Sequence, residues 1–249
     1  MPELSWLSWS LLALIAFVAG FTSAVAGGGG MLILPALLAA GVPPLTAMGT
    51  TKLQGLFGLL SSTYSFFRVK LIDTRRIQTA IYLAVIGSAF GVWLIQQVDT
   101  SSLKTLLPVG LLLVCLYLFI NLLRKKPPAP AKLNDRQFNL LVGSAAGLYG
   151  GAFGPGIGSM LIAAFTSLRG DLLLSAISNS KPIIIAANLV GCIGFIWTGH
   201  VWWQLALSMA VSQVIGAQLG ARMAIQRGQR FIELMMLVVT GLLALSTLL

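Results

Sequence analysis

Two lysines lie inside apolar segments, and each follows a glycine-rich interruption by about the same distance. The first unit is Gly27-Gly28-Gly29-Gly30-Met31-Leu32-Ile33, followed by Thr50-Thr51-Lys52. The second is Gly156-Ile157-Gly158-Ser159-Met160-Leu161-Ile162, followed by Asn179-Ser180-Lys181. A lysine at the centre of a spanning helix costs on the order of 2.5–3.5 kcal/mol by insertion scales. The acidic residues Asp73, Asp99, Asp135 and Asp171 fall in loops and Glu233 at a helix end, so none sits at comparable depth. A buried lysine pair without carboxylates calls for another anion, which a bound substrate supplies.

The surrounding residues suit the same chemistry. Helical pieces that begin at Met31 and Met160 turn their N–H groups and positive dipole ends inward, where an anion is welcome. Glycines at 27, 29, 156 and 158 let an oxyanion approach the backbone closely. Thr50, Thr51, Gln54, Ser159, Asn179 and Ser180 add hydroxyl and amide groups, and Asn188 shares a helix face with Lys181. The candidate substrate site is therefore Gly27, Gly28, Gly29, Gly30, Thr50, Thr51, Lys52, Gln54, Gly156, Gly158, Ser159, Asn179, Ser180, Lys181 and Asn188. Its expected ligand is a compact tetrahedral or pyramidal oxyanion.

The two units are copies. An offset of 129 residues maps Gly27 to Gly156, Met31 to Met160, Gly41 to Gly170, Lys52 to Lys181, and Gly87 and Gly91 to Gly216 and Gly220. A register held that long points to duplication. It divides the chain into a first transmembrane repeat (1–123), a basic, proline-containing linker (124–136) and a second repeat (137–249).

The elements that must carry these residues are membrane helices. The chain is 57% hydrophobic and 9% charged, with a mean hydropathy of +0.92; soluble domains carry about 25% charged residues. Apolar runs near the ~20 residues that cross a bilayer recur along its length. They are apolar on every side, unlike the striped helices of a soluble bundle. Expected helices cover 8–26, 31–40, 45–67, 77–96, 104–123, 137–153, 160–168, 172–197, 204–221 and 231–249. The pieces at 31–40 and 160–168 are too short to cross. The fold class expected is an all-α polytopic membrane protein of two inverted-topology repeats, each a glycine-broken re-entrant helix pair plus three transmembrane helices.

The net charge of +10 does not indicate nucleic acid, because its carriers cluster in short loops between apolar runs. With re-entrant units, the loops at 68–76, 124–136, 169 and 222–230 share one side and hold thirteen of the sixteen lysines and arginines. By the positive-inside rule that side is cytoplasmic, leaving both termini outside. The N-terminus has no basic region ahead of its apolar run and reads as a retained segment. Inverted repeats with broken helices are the mark of secondary transporters, whose sites lie at midplane between the halves.

At this level the chain resembles the sulfite exporter TauE/SafE family over essentially its whole length. The resemblance rests on Gly27-x-Gly29-Gly30 with Pro35 five residues on, Thr51-Lys52-Leu53-Gln54, its echo at Asn179-x-Lys181, and the two-half layout. It implies outward movement of sulfur oxyanions, sulfite or organosulfonates, across the bacterial inner membrane, and it suggests a homodimer. The second break departs from the pattern, with Pro155 and Ser159 in place of a fuller glycine run and Ala164 opposite Pro35.

An anion channel, or a carrier for another small anion, shares the same features. A membrane enzyme lacks a Ser/His pair, paired carboxylates or metal-ligand spacing in the apolar segments, so no cofactor is expected. Gly87-x-x-x-Gly91 and Gly216-x-x-x-Gly220 read as helix contacts, Cys115 and Cys192 as packing residues, and His200 with Trp202 and Trp203 as interfacial. Trp6, Trp9, Trp93 and Trp197 read as interface anchors or packing. Expected partners are the small anion and membrane lipid.

Overall fold

The computed structural model describes residues 4–123 and 131–248. Among them the chain is helical throughout: α1 (Trp6–Val25), α2 (Gly30–Ala39), α3 (Pro44–Arg68), α4 (Thr74–Gln96), α5 (Thr100–Leu123), α6 (Asp135–Phe138), α7 (Ser144–Ala152), α8 (Ile157–Leu168), α9 (Leu173–Trp197) and α10 (Trp203–Leu248). A single π turn, Asn139–Gly143, joins α6 to α7. The start of the expected linker, 124–130, lies outside the described residues, as does the side chain of Cys115. The rest of the linker, 131–136, folds back: the Lys132 and Leu133 N–H groups both donate to the Leu168 carbonyl. Asn134 and Gln137 then form a capping box that starts α6.

Local chemistry sets the boundaries. α2 stops at Gly41, which has φ +79°, and Pro44 opens α3 at a first-turn position where its missing N–H is harmless. Asp73 caps α4 by accepting from the Arg76 N–H at 3.2 Å. Ahead of α5, Asp99 accepts from the Ser101 hydroxyl and the Ser102 N–H, and these bonds pull its carboxyl down to about 2.

One expected boundary is corrected. The loop placed at 222–230 is almost entirely helical, and α10 runs on through Arg222 and Arg227 to a single non-helical residue, Gly228 (φ 65°, ψ −155°). Arginine is a good helix former, and Ala221 and Ala224 are fully buried on the inner face, so the helix keeps a reason to continue. Gly228 stands 129 residues after Asp99, at the turn between α4 and α5. α10 is thus the counterpart of α4 and α5 with the turn reduced to a kink.

The same offset recurs in the backbone. Left-handed residues pair as Gly27 with Gly156, Gly41 with Gly170, and Lys70 with Gly199. The halves do not form separate bodies: α1 packs on α10, α4 on α7, and α3 on α9 and α10. The glycine pairs sit in these crossings. A Cβ on Gly91 would lie 2.2 Å from the Leu148 carbonyl oxygen, and one on Gly216 2.0 Å from that of Phe17. Such close approach of two helices is what small residues at four-residue spacing permit.

Polarity runs opposite to a soluble protein. Leu14, Phe57, Tyr64, Ile86, Phe90, Trp93, Leu113, Ile193, Val211 and Ile215 face outward, as do Trp6 and Trp197, whereas Lys52, Gln54, Asn179, Lys181 and Gln213 are buried. α1, α4 and α9 are long and apolar enough to cross a bilayer. Water would not tolerate so continuous an apolar exterior; a membrane requires it.

Candidate functional site

The two chain breaks meet. Gly27 and Gly158 touch backbone to backbone: a Cβ on Gly27 would lie 2.5 Å from the Gly158 carbonyl carbon, and one on Gly158 2.4 Å from the Gly27 carbonyl oxygen. No other residue type fits at either position. Ser159 locks the crossing by donating to the Ala26 carbonyl at 2.7 Å. Tyr149 donates to the Pro155 carbonyl and braces the second break. α2 and α8 leave this crossing with no side chain capping their N-termini. The Met31 and Leu32 N–H groups turn back to the Gly28 and Gly29 carbonyls and the Ile157 N–H to that of Gly154, so what each start offers an anion is chiefly its positive dipole end.

Each lysine reaches across to the opposite half. Lys52, on α3, donates to the Gly150 carbonyl near the end of α7. Lys181, on α9, donates to the Ser23 carbonyl near the end of α1 at 2.6 Å. Both acceptors lie two residues before the last helical residue, where carbonyls lack intrahelical partners and the dipole favours a cation. The ammonium groups therefore close off the C-terminal ends of the broken helices. Among the described residues neither has a carboxylate within ion-pair distance. Lys52 lies along Gly191, where a Cβ would come 3.0 Å from its Cδ, and its Nζ sits 5.9 Å from the Phe195 ring centroid. An ammonium has three donors; one goes to Gly150, and two remain for a ligand.

A cavity of about 50 Å³ opens at the crossing. Lys52 lines it together with Ser23, Gly27, Gly30, Thr51, Gln54, the stretch Phe153–Gly158, Asn188 and Gln213. Of the expected site residues, it brings together Gly27, Gly30, Thr51, Lys52, Gln54, Gly156, Gly158 and Asn188. Gly28, Gly29 and Ser159 belong to the crossing without lining the cavity. Lys181 is 1% exposed and reaches the cavity wall only through Ser23.

Thr50, Asn179 and Ser180 have other partners. The Thr50 hydroxyl accepts from the Trp202 N–H at 3.0 Å, and the Asn179 side-chain carbonyl from the Asp73 N–H at 2.9 Å. These two bonds are themselves 129 residues apart at both ends, and they hold the starts of α10 and α4. Ser180 donates to its own helix at Ile177.

Sequence reasoning passed over three features. Gln213 is one of three glutamines in the run 204–221, with Gln204 and Gln218; only Gln213 is buried, which residue type alone does not show. Ser23 and Gly154 contribute through backbone position, which residue type does not reveal. The third is an ionic cluster away from the cavity. Arg76 bridges Asp135 at 2.9 Å and Asp171 at 3.0 Å, and Arg169 bridges the same two at 3.2 and 3.4 Å. The Arg169 guanidinium lies against the paired Phe138 and Phe165 rings, 5.2 and 5.1 Å from their centroids, which are 4.7 Å apart. Burial pushes its pKa down and Asp171 opposes the shift; a guanidinium starts high enough to stay charged.

An all-helical chain with an apolar exterior, buried cations and broken helices around a small polar cavity is a membrane transport protein. Residues 12–247 match the model of the sulfite exporter TauE/SafE family, and the chain belongs to that family. It is 35% identical over 231 residues to a probable membrane transporter protein of Haemophilus influenzae, covering 93% of this chain and 91% of the relative. It is 34% identical over 236 residues to the probable membrane transporter protein YfcA of Escherichia coli K12, covering 94% and 87%. It is also 34% identical over its full length to the probable membrane transporter protein ORF9 of a Sinorhizobium species, 95% of which is covered.

Proposed function

We propose that this transporter carries small sulfur-containing anions, sulfite or organosulfonates, outward across the cytoplasmic membrane by alternating access. The observation that carries this reading is Lys52, which presents its free donors to a cavity formed where two chain breaks touch. The half-helices supply positive N-terminal ends, and the lysines neutralise the C-terminal ends that would otherwise repel an anion.

In this reading the halves are oppositely oriented in the membrane, and each broken unit enters and leaves on its own side. Both termini then lie outside, and the basic segments gather in the cytoplasm as the positive-inside rule requires. Lipid covers the apolar exterior. Rocking of one half against the other about the Gly27–Gly158 crossing exposes the cavity to each side in turn. The membrane potential drives export: one negative charge gains about 2.3 kcal/mol per 100 mV moving outward. The family description supports sulfite as the substrate.

The competing reading is an anion channel, and counterflow separates the two. Vesicles containing the purified protein and preloaded with unlabelled sulfite accelerate entry of labelled sulfite if the protein is a carrier, and that entry saturates. Entry that rises linearly with concentration and ignores the preload contradicts a carrier. Export that is unchanged when the potential is collapsed contradicts the driving force.

A further inference from the structure

Two carboxamides line this cavity, Gln54 of the expected site and Gln213, which the sequence did not single out. Gln54 is 1% and Gln213 4% exposed, both line the cavity, and the Oε1 of each is buried with no hydrogen-bond partner. They come from different halves of the chain, α3 and α10, and the packing that brings them close is specific. Gln213 lies across α3 at Gly58, where a Cβ would come 2.7 Å from its Cγ. Buried polar atoms in native proteins are almost always satisfied, so two unpaired acceptors in one small cavity point to a missing donor.

The remaining polar groups on the lining define the charge of the place. Lys52 is the one cation among the described lining residues; Ser23, Thr51 and Asn188 are neutral, and the wall contains no carboxylate. Whichever way each amide is turned, it offers both a donor and an acceptor. A bare oxyanion can use the donors, but its lone pairs face the acceptor and are repelled.

Taking the cavity as the anion site proposed above, we infer that Gln54 and Gln213 read the protonation state of the ligand. The cavity takes a compact monoanion that carries its own hydrogen-bond donor, of the hydrogensulfite type. One negative charge balances Lys52, whereas a dianion leaves a second charge buried without compensation. The ligand O–H meets an amide oxygen that otherwise has nothing to accept from. Size agrees: about 50 Å³ holds on the order of four waters, close to the bulk of an oxyanion with one central atom.

The test is equilibrium binding to the purified full-length protein in two matched pairs of monoanions. Each pair sets a donor-bearing member against a donor-free one: hydrogensulfite against methanesulfonate, and hydrogencarbonate against nitrate. Wild type is expected to prefer the donor-bearing member at least about tenfold in both pairs, and to bind sulfate more weakly than hydrogensulfite. Gln54→Met and Gln213→Met are each expected to reduce that preference below about threefold, the donor-bearing member of each pair losing more affinity than the donor-free one. Equal loss for both members of a pair, no loss at all, or a wild type indifferent to the ligand O–H overturns the inference. Preference for hydrogencarbonate over nitrate with no binding of any sulfur anion overturns the sulfur reading and upholds this one. The wild-type comparison stands even if one variant fails to fold.

Discussion

Lys181 holds the Ser23 carbonyl at 2.6 Å, and the chain repeats that contact from the other side, where Lys52 holds Gly150. Each half thus supplies the cation that closes the end of the other half's broken helix. The two lysines differ in one respect: Lys52 also faces the cavity, and Lys181 does not. Their replacements should therefore have different effects. Lys181→Met is expected to lower the melting temperature, because the end of α1 loses a cap worth about 1–2 kcal/mol, while anion affinity stays within about threefold. An affinity loss as large as that of Lys52→Met would mean that Lys181 touches the ligand.

The crossing of the breaks should be the least tolerant point in the fold. Gly158→Ala forces a Cβ to within 2.4 Å of the Gly27 carbonyl oxygen, and backbone on both sides leaves no room to yield. We expect a loss on the order of 3 kcal/mol, read as a lower melting temperature and reduced yield. Gly199→Ala is the control: its φ is +73° and its Cβ would meet nothing within 4 Å, so only left-handed strain of about 1–2 kcal/mol applies. Equal effects would contradict the contact.

Thr50 and Asn179 should affect stability before binding. Thr50→Val leaves the Trp202 N–H without its acceptor, and Asn179→Leu does the same to Asp73. Each change is expected to cost about 1–3 kcal/mol with sulfite affinity unchanged in the protein that remains folded. A selective loss of affinity at normal stability would return these residues to the binding site.

The ionic cluster predicts an asymmetry between two aspartates. Asp171 is 7% exposed beside the buried Arg169, and Asp135 is 50% exposed. Asp171→Asn removes the buried one of Arg169's two carboxylates and leaves it only the half-exposed Asp135, so a loss on the order of 3 kcal/mol is expected; Asp135→Asn should cost less than about 1 kcal/mol. Comparable melting temperatures for the two variants would contradict the assignment.

Much of this architecture was legible in the residues. The 129-residue offset located both breaks, both lysines and the glycine contacts, because a constant spacing carries position along the chain even where residue types differ. The helix limits followed from proline and glycine to within a few residues, except at 222–230, where α10 runs on to Gly228. What spacing could not show was direction. Thr50 and Asn179 stand two residues before Lys52 and Lys181, on the far side of their helices, and their side chains are taken by the starts of helices in the opposite half. Nor could sequence show that Lys181 caps α1 from outside the cavity, since helix depth is the same for both lysines. Gln213 was hidden because its importance lies in the residue it faces on α3, not in its neighbours along the chain.

The central claim is that Lys52 holds the anion at the crossing of the breaks. Sulfite-dependent thermal stabilisation of the purified protein tests it directly, comparing wild type with Lys52→Met after each has been shown to be folded without ligand. The expected result is a concentration-dependent stabilisation of wild type that needs at least about tenfold more sulfite, or is lost, in the variant. Equal stabilisation of both proteins would contradict the claim.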